Sequence, residues 1–330
     1  MDAAASGRPM LTSRPMNPRA FFPLAPCLIA FALAACATEA PTPLPEPVAE
    51  AETPLPEPIE EPAGPAPLAP VPSPPEQRPE APAEVADPAI PRPQRIANFV
   101  DYAVRTHGVD ADRVREVLAQ AQVRQSILDA MSRPAERTRT WAEYRPIFLN
   151  DARIRGGREF YARHRAALDR IAAASGVPAE YIVAIIGVET SYGGFTGNHR
   201  ILDALYTLAF DHAPRAPFFA AELAHLFALE KDEPSLDILA LRGSYAGAMG
   251  LGQFMPSSYR LWAKDGDGDG HRNLIDNLDD VFASIANYFV VFGWERGGPV
   301  VARATRDPGA EDFKPETLDP VHRLEELAAR

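Results

Sequence analysis

Cysteine is nearly missing from this 330-residue chain: only Cys27 and Cys36 exist, both close to the N-terminus. No disulfide framework can hold the remaining residues together, so their fold must rest on a buried core. Strand-type alternation of apolar and polar residues is weak throughout, which argues against a sheet protein. No internal repeat is found, which excludes a repeat array. An apolar run from Phe21 to Ala35 is short for a membrane span. Basic residues are not in excess, and the formal net charge is −12. Most of that negative charge lies in a Pro/Glu-rich stretch before residue 95, leaving a body close to balance. Nucleic acid is therefore excluded as a partner on charge grounds.

The N-terminal 36 residues read as an address rather than a domain. Arg8, Arg14 and Arg19 precede the apolar run, which ends in Leu33-Ala34-Ala35-Cys36. This charged, apolar, small order is that of a signal peptide. Met16 is an alternative start, because the basic region then falls directly before the apolar run. Leu-Ala-Ala-Cys resembles the lipobox of bacterial lipoproteins. The resemblance implies cleavage before Cys36 and lipidation of that residue, while Cys27 leaves with the signal. The alternative is a plain secretory signal with a chance cysteine. Residues 37–94 alternate Pro, Ala and Glu and hold over half of the 35 prolines. Such a segment builds neither helix nor sheet and favours extended polyproline geometry, so it is expected to be a disordered, semi-rigid spacer.

Residues 95–330 are expected to form one mainly helical domain. Apolar spacing places helices over Ile96–His107, from Asp110 through Leu118 to Val123, around Trp141–Phe148, and over Arg158–Ala174. Further ones are expected over Ile201–Phe210, Phe218–Leu229, Leu251–Ala263 and Val281–Phe292. The stretch from Tyr181 to Glu189 is almost unbroken apolar sequence. Pro178 stands where a helix begins and Gly193-Gly194 where it stops. Glu189 is thus expected in the last turn of a largely buried helix. The negative end of the helix and apolar surroundings both disfavour an ionised carboxyl and raise its pKa. A carboxylic acid held protonated near neutral pH suits general-acid chemistry. The competing reading is a glutamate that reaches solvent or pairs with an arginine.

Three other stretches carry chemical signals. Gly243 to Tyr259 contains four glycines among small residues, so its backbone approaches another group closely. Gln253 follows them and can hold a hydroxyl or a water; a tight helix–helix contact explains the glycines equally well. Asp265-Gly266-Asp267-Gly268-Asp269-Gly270-His271 matches the start of an EF-hand loop. Asp265, Asp267 and Asp269 are candidate Ca²⁺ ligands, with His271 offering its backbone carbonyl. Position twelve is Asp276 rather than Glu, so Asp280 is the expected closing ligand; the competing reading is an acidic solvent turn. Asn287 and Tyr288 lie within an apolar helix and need partners. Tyr288 either flanks a cleft or is an ordinary core-edge tyrosine.

Taken together, these segments resemble the membrane-bound lytic murein transglycosylase B family. The matching pieces are Met131–Glu136, Gly187–Gly193, Gly243–Tyr259, the Asp265 loop, and Ala286–Phe289 with Gly293-Trp294. The likeness covers about residues 96 to 300. It implies a mainly α, lysozyme-like fold with an EF-hand-like calcium loop. It also implies cleavage of the β-1,4 bond between N-acetylmuramic acid and N-acetylglucosamine in peptidoglycan glycan strands, leaving 1,6-anhydromuramyl ends. The family's single acid/base maps to Glu189, and Ser244, Gln253 and Tyr288 map to the substrate cleft. Ca²⁺ would brace the fold.

The family continues with an aromatic- and Asn-rich segment that completes the far cleft wall. The sequence reaches Arg330 without one, which leaves two readings: a truncated sequence or a missing wall. A non-catalytic peptidoglycan-binding envelope lipoprotein is the alternative function. Ala37 after Cys36 resembles the sorting signal for the outer membrane, which would place a lipid-anchored protein on its periplasmic face.

Overall fold

A computed structural model describes residues 79–132, 140–301, 305, 309 and 322–328. All belong to the second of two units, Pro65–Arg330; the first is Met1–Gly64. The signal peptide, Cys36 and most of the spacer fall outside the described residues.

The described part is almost wholly helical. In chain order it comprises α1 (Ala83–Ala86), α2 (Arg92–His107), α3 (Ala111–Leu118), α4 (Gln125–Ser132), α5 (Trp141–Phe148) and α6 (Asp151–Ser175). These are followed by α7 (Ala179–Thr190), α8 (Ile201–Asp211), α9 (Ala216–Asp232), α10 (Pro256–Trp262), α11 (Leu278–Val291) and α12 (Leu324–Ala328). The two short strands described, His199–Arg200 and Arg242–Gly243, pair antiparallel. Helix α9 is the centre. Phe219, Leu223, Leu226 and Leu229 are fully buried, and so are the alanines between them. A helix apolar on every side must be surrounded by others, and α8, α10, α2 and α1 pack on α9.

The folded body starts earlier than residue 95. Ala81 and Val85 are buried in the core, and the Ala81 N–H donates to the Pro217 carbonyl at 2.8 Å. Two apolar side chains suffice to dock this segment despite its proline-rich setting. Helix α3 stops at Leu118 and does not reach Val123. Beyond it, the Gln122 and Arg124 N–H groups donate to Asp203 and Thr207 of α8, at 2.9 and 3.0 Å. These fixed side-chain acceptors take the place of another helical turn. Helix α6 begins seven residues before Arg158. Asn150 caps it by accepting from the Arg153 N–H at 2.9 Å.

The expected helix over Leu251–Ala263 is half absent. Residues 243–254 instead fold back on themselves through bridges Gly243 to Met249 and Met249 to Phe254. Gly250 and Gln253 both take positive φ, at 71° and 51°, which no helix tolerates. Helix α10 begins only at Pro256, whose fixed φ and missing N–H suit a first turn.

Candidate active site and calcium loop

A cleft of about 640 Å³ is walled by three segments. Helix α7 gives Ile185 and Glu189, the folded-back loop gives Gln253 and Phe254, and α11 with its C-cap gives Tyr288 and Phe292. Glu189 is the only carboxylate among the residues that line it. It makes no hydrogen bond or ion pair among the described residues. Its side chain opens to the cleft rather than to a fully closed core, since Val188 and Glu189 are both exposed on α7. Burial beside the apolar walls still pushes its carboxyl above the usual range. Of the competing readings, no arginine pairs with Glu189 among the described residues, while the side chain does reach solvent at the cleft.

The end of α7 is held firmly. Thr190 Oγ1 stands 3.1 Å from the Ile186 carbonyl and 3.2 Å from the Leu251 carbonyl, its one proton shared between them, and accepts from the Gly193 N–H at 3.2 Å. This ties the acid-bearing helix to the folded-back loop that carries Gln253. Gln253 uses its Nε2 to donate to the Gly250 and Thr196 carbonyls, at 2.9 and 3.2 Å. Its positive φ and these two bonds fix the side chain at the cleft, leaving its Oε1 to accept from a ligand. Tyr288 lies 40% exposed, stacked on Phe292 at 4.4 Å between ring centres and edge-on to Trp262 at 5.1 Å. Burial raises its phenol pKa. The result is one acid, one amide and an aromatic wall around a concave space.

Ser244 does not line this cavity. Its Oγ accepts from the Ala248 N–H at 3.0 Å, and its N–H donates to the Ala248 carbonyl at 2.8 Å. The hydroxyl closes its own turn. Phe289 and Phe292 line the cleft without having been singled out from the sequence. The spacing of Phe292, four residues after Tyr288, was a usable signal for a shared helical face; Phe289, one residue on, carries no such signal.

The Asp265 loop runs from α10 into α11. One carboxylate oxygen each of Asp265, Asp267 and Asp280 lie within 4.8 Å of one another. Asp280 is fully buried and accepts from the Gly266 and Asn273 N–H groups at 2.7 and 2.6 Å. Desolvation, then the neighbouring Asp267 and Asp265, raise its pKa. Asp265 accepts from Gly270 and Gly268, which lower its own. Convergent carboxylates, one of them buried, are the oxygen donor set that Ca²⁺ takes. Asp280, not the exposed Asp276, closes the group. Asp269 stands outside it, with its carboxylate accepting from the His271 N–H at 2.8 Å. The His271 ring lies 3.8 Å from Glu233.

Residues 92–330 match the transglycosylase SLT domain. The chain belongs to this family. Membrane-bound lytic murein transglycosylase B of Escherichia coli (strain K12) is 41% identical over 240 residues, covering 70% of this chain and 65% of that protein. The SLT-domain chain thus spans just under two thirds of that relative. The crystal structure of soluble lytic transglycosylase SltB1 from Pseudomonas aeruginosa is 50% identical, with a TM-score of 0.59. It is matched over 62% of this chain and 69% of that one. The Escherichia coli lytic transglycosylase Slt35, solved in complex with calcium, is 43% identical with a TM-score of 0.57. There the match covers 62% of this chain and 65% of that one.

Proposed function

We propose that the chain is a peptidoglycan lytic transglycosylase. It cleaves the β-1,4 bond between N-acetylmuramic acid and N-acetylglucosamine, with Glu189 as the single acid/base. The observation that carries this is the cleft itself, in which Glu189 is the only lining carboxylate. Most hydrolytic glycosidases use two carboxyl groups flanking the scissile bond. With one, a nucleophile within the substrate accounts for the reaction, and the C6 hydroxyl of the muramic acid residue is that nucleophile in this proposal.

Glu189 starts protonated, which its raised pKa favours. It gives its proton to the glycosidic oxygen as the bond to C1 breaks, and the substrate's N-acetyl group stabilises the electron-poor C1. The C6 hydroxyl then bonds to C1 and returns its proton to the Glu189 carboxylate. The acid is regenerated, no water is consumed, and a 1,6-anhydro ring is left. Gln253 and Tyr288 hold the sugar, by amide hydrogen bonding and ring stacking. Asp265, Asp267 and Asp280 would hold Ca²⁺, whose part is to brace the turn between α10 and α11.

The protein is placed at the cell envelope, anchored through Cys36 to the periplasmic face of the outer membrane. Membrane fractionation of Cys36→Ser tests the anchor, which predicts release of the variant. Digestion of purified peptidoglycan followed by mass spectrometry of the muropeptides tests the reaction. Anhydro ends, lighter by one water than reducing ends, are the expected product. Reducing ends would replace the mechanism with hydrolysis, and intact glycan would favour a non-cutting tether.

A further inference from the structure

Helix α7 does not end in an ordinary way after Glu189. Ser191, Tyr192 and Gly193 all take left-handed backbone conformations, with φ of 52°, 62° and 85°. Two of the three carry side chains, for which this region is unfavourable. Strain of this kind persists only where surroundings over-determine it, and it concentrates at functional sites. What holds it is the Tyr192 side chain. The ring enters a slot between α6 and α7 whose walls are three glycines. A Cβ on Gly187 or Gly157 would stand 2.6 or 2.7 Å from the Tyr192 hydroxyl, and one on Gly156 2.9 Å from its ring.

At the bottom of that slot a reciprocal contact closes. The Tyr192 hydroxyl donates to the Arg153 carbonyl at 2.8 Å. The Arg153 guanidinium donates back to the Gly187 carbonyl, two residues before Glu189. The Arg153 guanidinium carbon also lies over the Phe148 ring of α5, 5.8 Å from its centroid. The Gly187 carbonyl already accepts from the Ser191 N–H at 3.2 Å, and a cation from α6 adds a second donor at the negative end of α7.

We propose that Tyr192 and Arg153 form a positioning strut for the acid, locking the last turn of α7 to the start of α6 so that Glu189 keeps a fixed place in the cleft. Neither residue lines the cavity. The inference rests on the proposed role of Glu189. It adds that the acid's placement depends on two residues outside the cleft.

The test compares Tyr192→Phe, Arg153→Met and Arg153→Lys in the full chain. Tyr192→Phe keeps the ring that fills the slot and removes only the hydroxyl. Turnover of a soluble peptidoglycan oligosaccharide is read together with the titration of ¹³C-labelled Glu189. Misplacement of a reacting group by about 1 Å can cost roughly a hundredfold. For Tyr192→Phe and Arg153→Met, kcat should fall about tenfold or more with KM within about twofold. The Glu189 titration midpoint should move down toward the ordinary range, because a loosened helix end admits water. Arg153→Lys, which can still donate to the Gly187 carbonyl, should recover most of the loss.

Wild-type kcat and an unmoved midpoint in both Tyr192→Phe and Arg153→Met would overturn the strut. So would losses of kcat and rises of KM that merely follow melting temperature. If the wild type itself makes no anhydro product, the proposed function fails instead. The Glu189 titration then decides the strut by itself.

Discussion

Replacing Gly187 with alanine separates helix propensity from packing. Gly187 lies inside α7, where alanine is favoured over glycine by about 1 kcal/mol. On propensity alone the substitution stabilises. The structure reverses the sign, because the new Cβ would meet the Tyr192 hydroxyl at 2.6 Å. That ring cannot swing aside, since Gly156 and Gly157 border it on α6. Overpacking of a filled site costs about 1–3 kcal/mol. Displacing the hydroxyl from the Arg153 carbonyl removes about 1 kcal/mol more. Set against the propensity gain, the net loss is about 1–3 kcal/mol. For a domain of this size that lowers the melting temperature by roughly 2–12 °C. The assay is thermal unfolding of Gly187→Ala, Tyr192→Ala and the double variant. With Tyr192 truncated the slot is empty, so Gly187→Ala should become neutral or stabilising. That sign change is a coupling between contacting residues. A single Gly187→Ala variant that melts above the wild type would refute the packing argument.

Two other outcomes are expected. Chelation should lower the melting temperature, since a ligand bound only to the folded state contributes about 2.7 kcal/mol at a hundredfold excess over its dissociation constant. Asp280→Ala should abolish that sensitivity, and a melt indifferent to chelator would speak against Ca²⁺ in the Asp265 loop. His225 sits with His107 around Arg260, and burial, then His107 and Arg260, push its pKa down to about 3. The unfolded chain takes up that proton near pH 6.5 and the folded one does not, so no penalty exists above pH 6.5 and one grows as pH falls toward 3. His225→Gln should flatten the drop in stability between pH 7.5 and 5, and an equally steep drop would exclude His225 as its source.

The acid-bearing helix was readable because Pro178, an apolar run and a glycine pair mark its ends, and the helix spans Ala179–Thr190. The expectation of a largely buried helix overstated its burial, since Ala184, Val188 and Glu189 are exposed. An apolar run does not reveal which face meets a cleft, and Val188 is exposed there. The segment before Pro256 was misread as helix because apolar spacing does not report backbone sign. Only the positive φ of Gln253 and Gly250 shows why it folds back. Ser244 was placed at the cleft by the family resemblance alone; it does not line the cavity, and its Oγ accepts from the Ala248 N–H of its own turn. Ala81 and Val85 were hidden by composition, since a proline-rich stretch needs only two well-placed apolar side chains to dock. The role of Gly156, Gly157 and Gly187 as the slot for Tyr192 had no sequence signal, because it joins two helices across about thirty residues.

The account's central claim is that Glu189 alone does the acid–base work. Glu189→Gln keeps the side chain's size and its place on α7 but cannot give up a proton to the glycosidic oxygen. General-acid catalysis contributes about 10²–10⁴-fold. The carboxyl's raised pKa means its ionised form is disfavoured in the fold, so the neutral amide should not lower the melting temperature at pH 7. The direct measurement is mass spectrometry of muropeptides released from purified peptidoglycan by wild type and Glu189→Gln at equal bound protein. Anhydromuropeptides falling at least a hundredfold, with glycan binding and melting temperature kept, is the predicted result. Near-normal anhydro product from Glu189→Gln would contradict it.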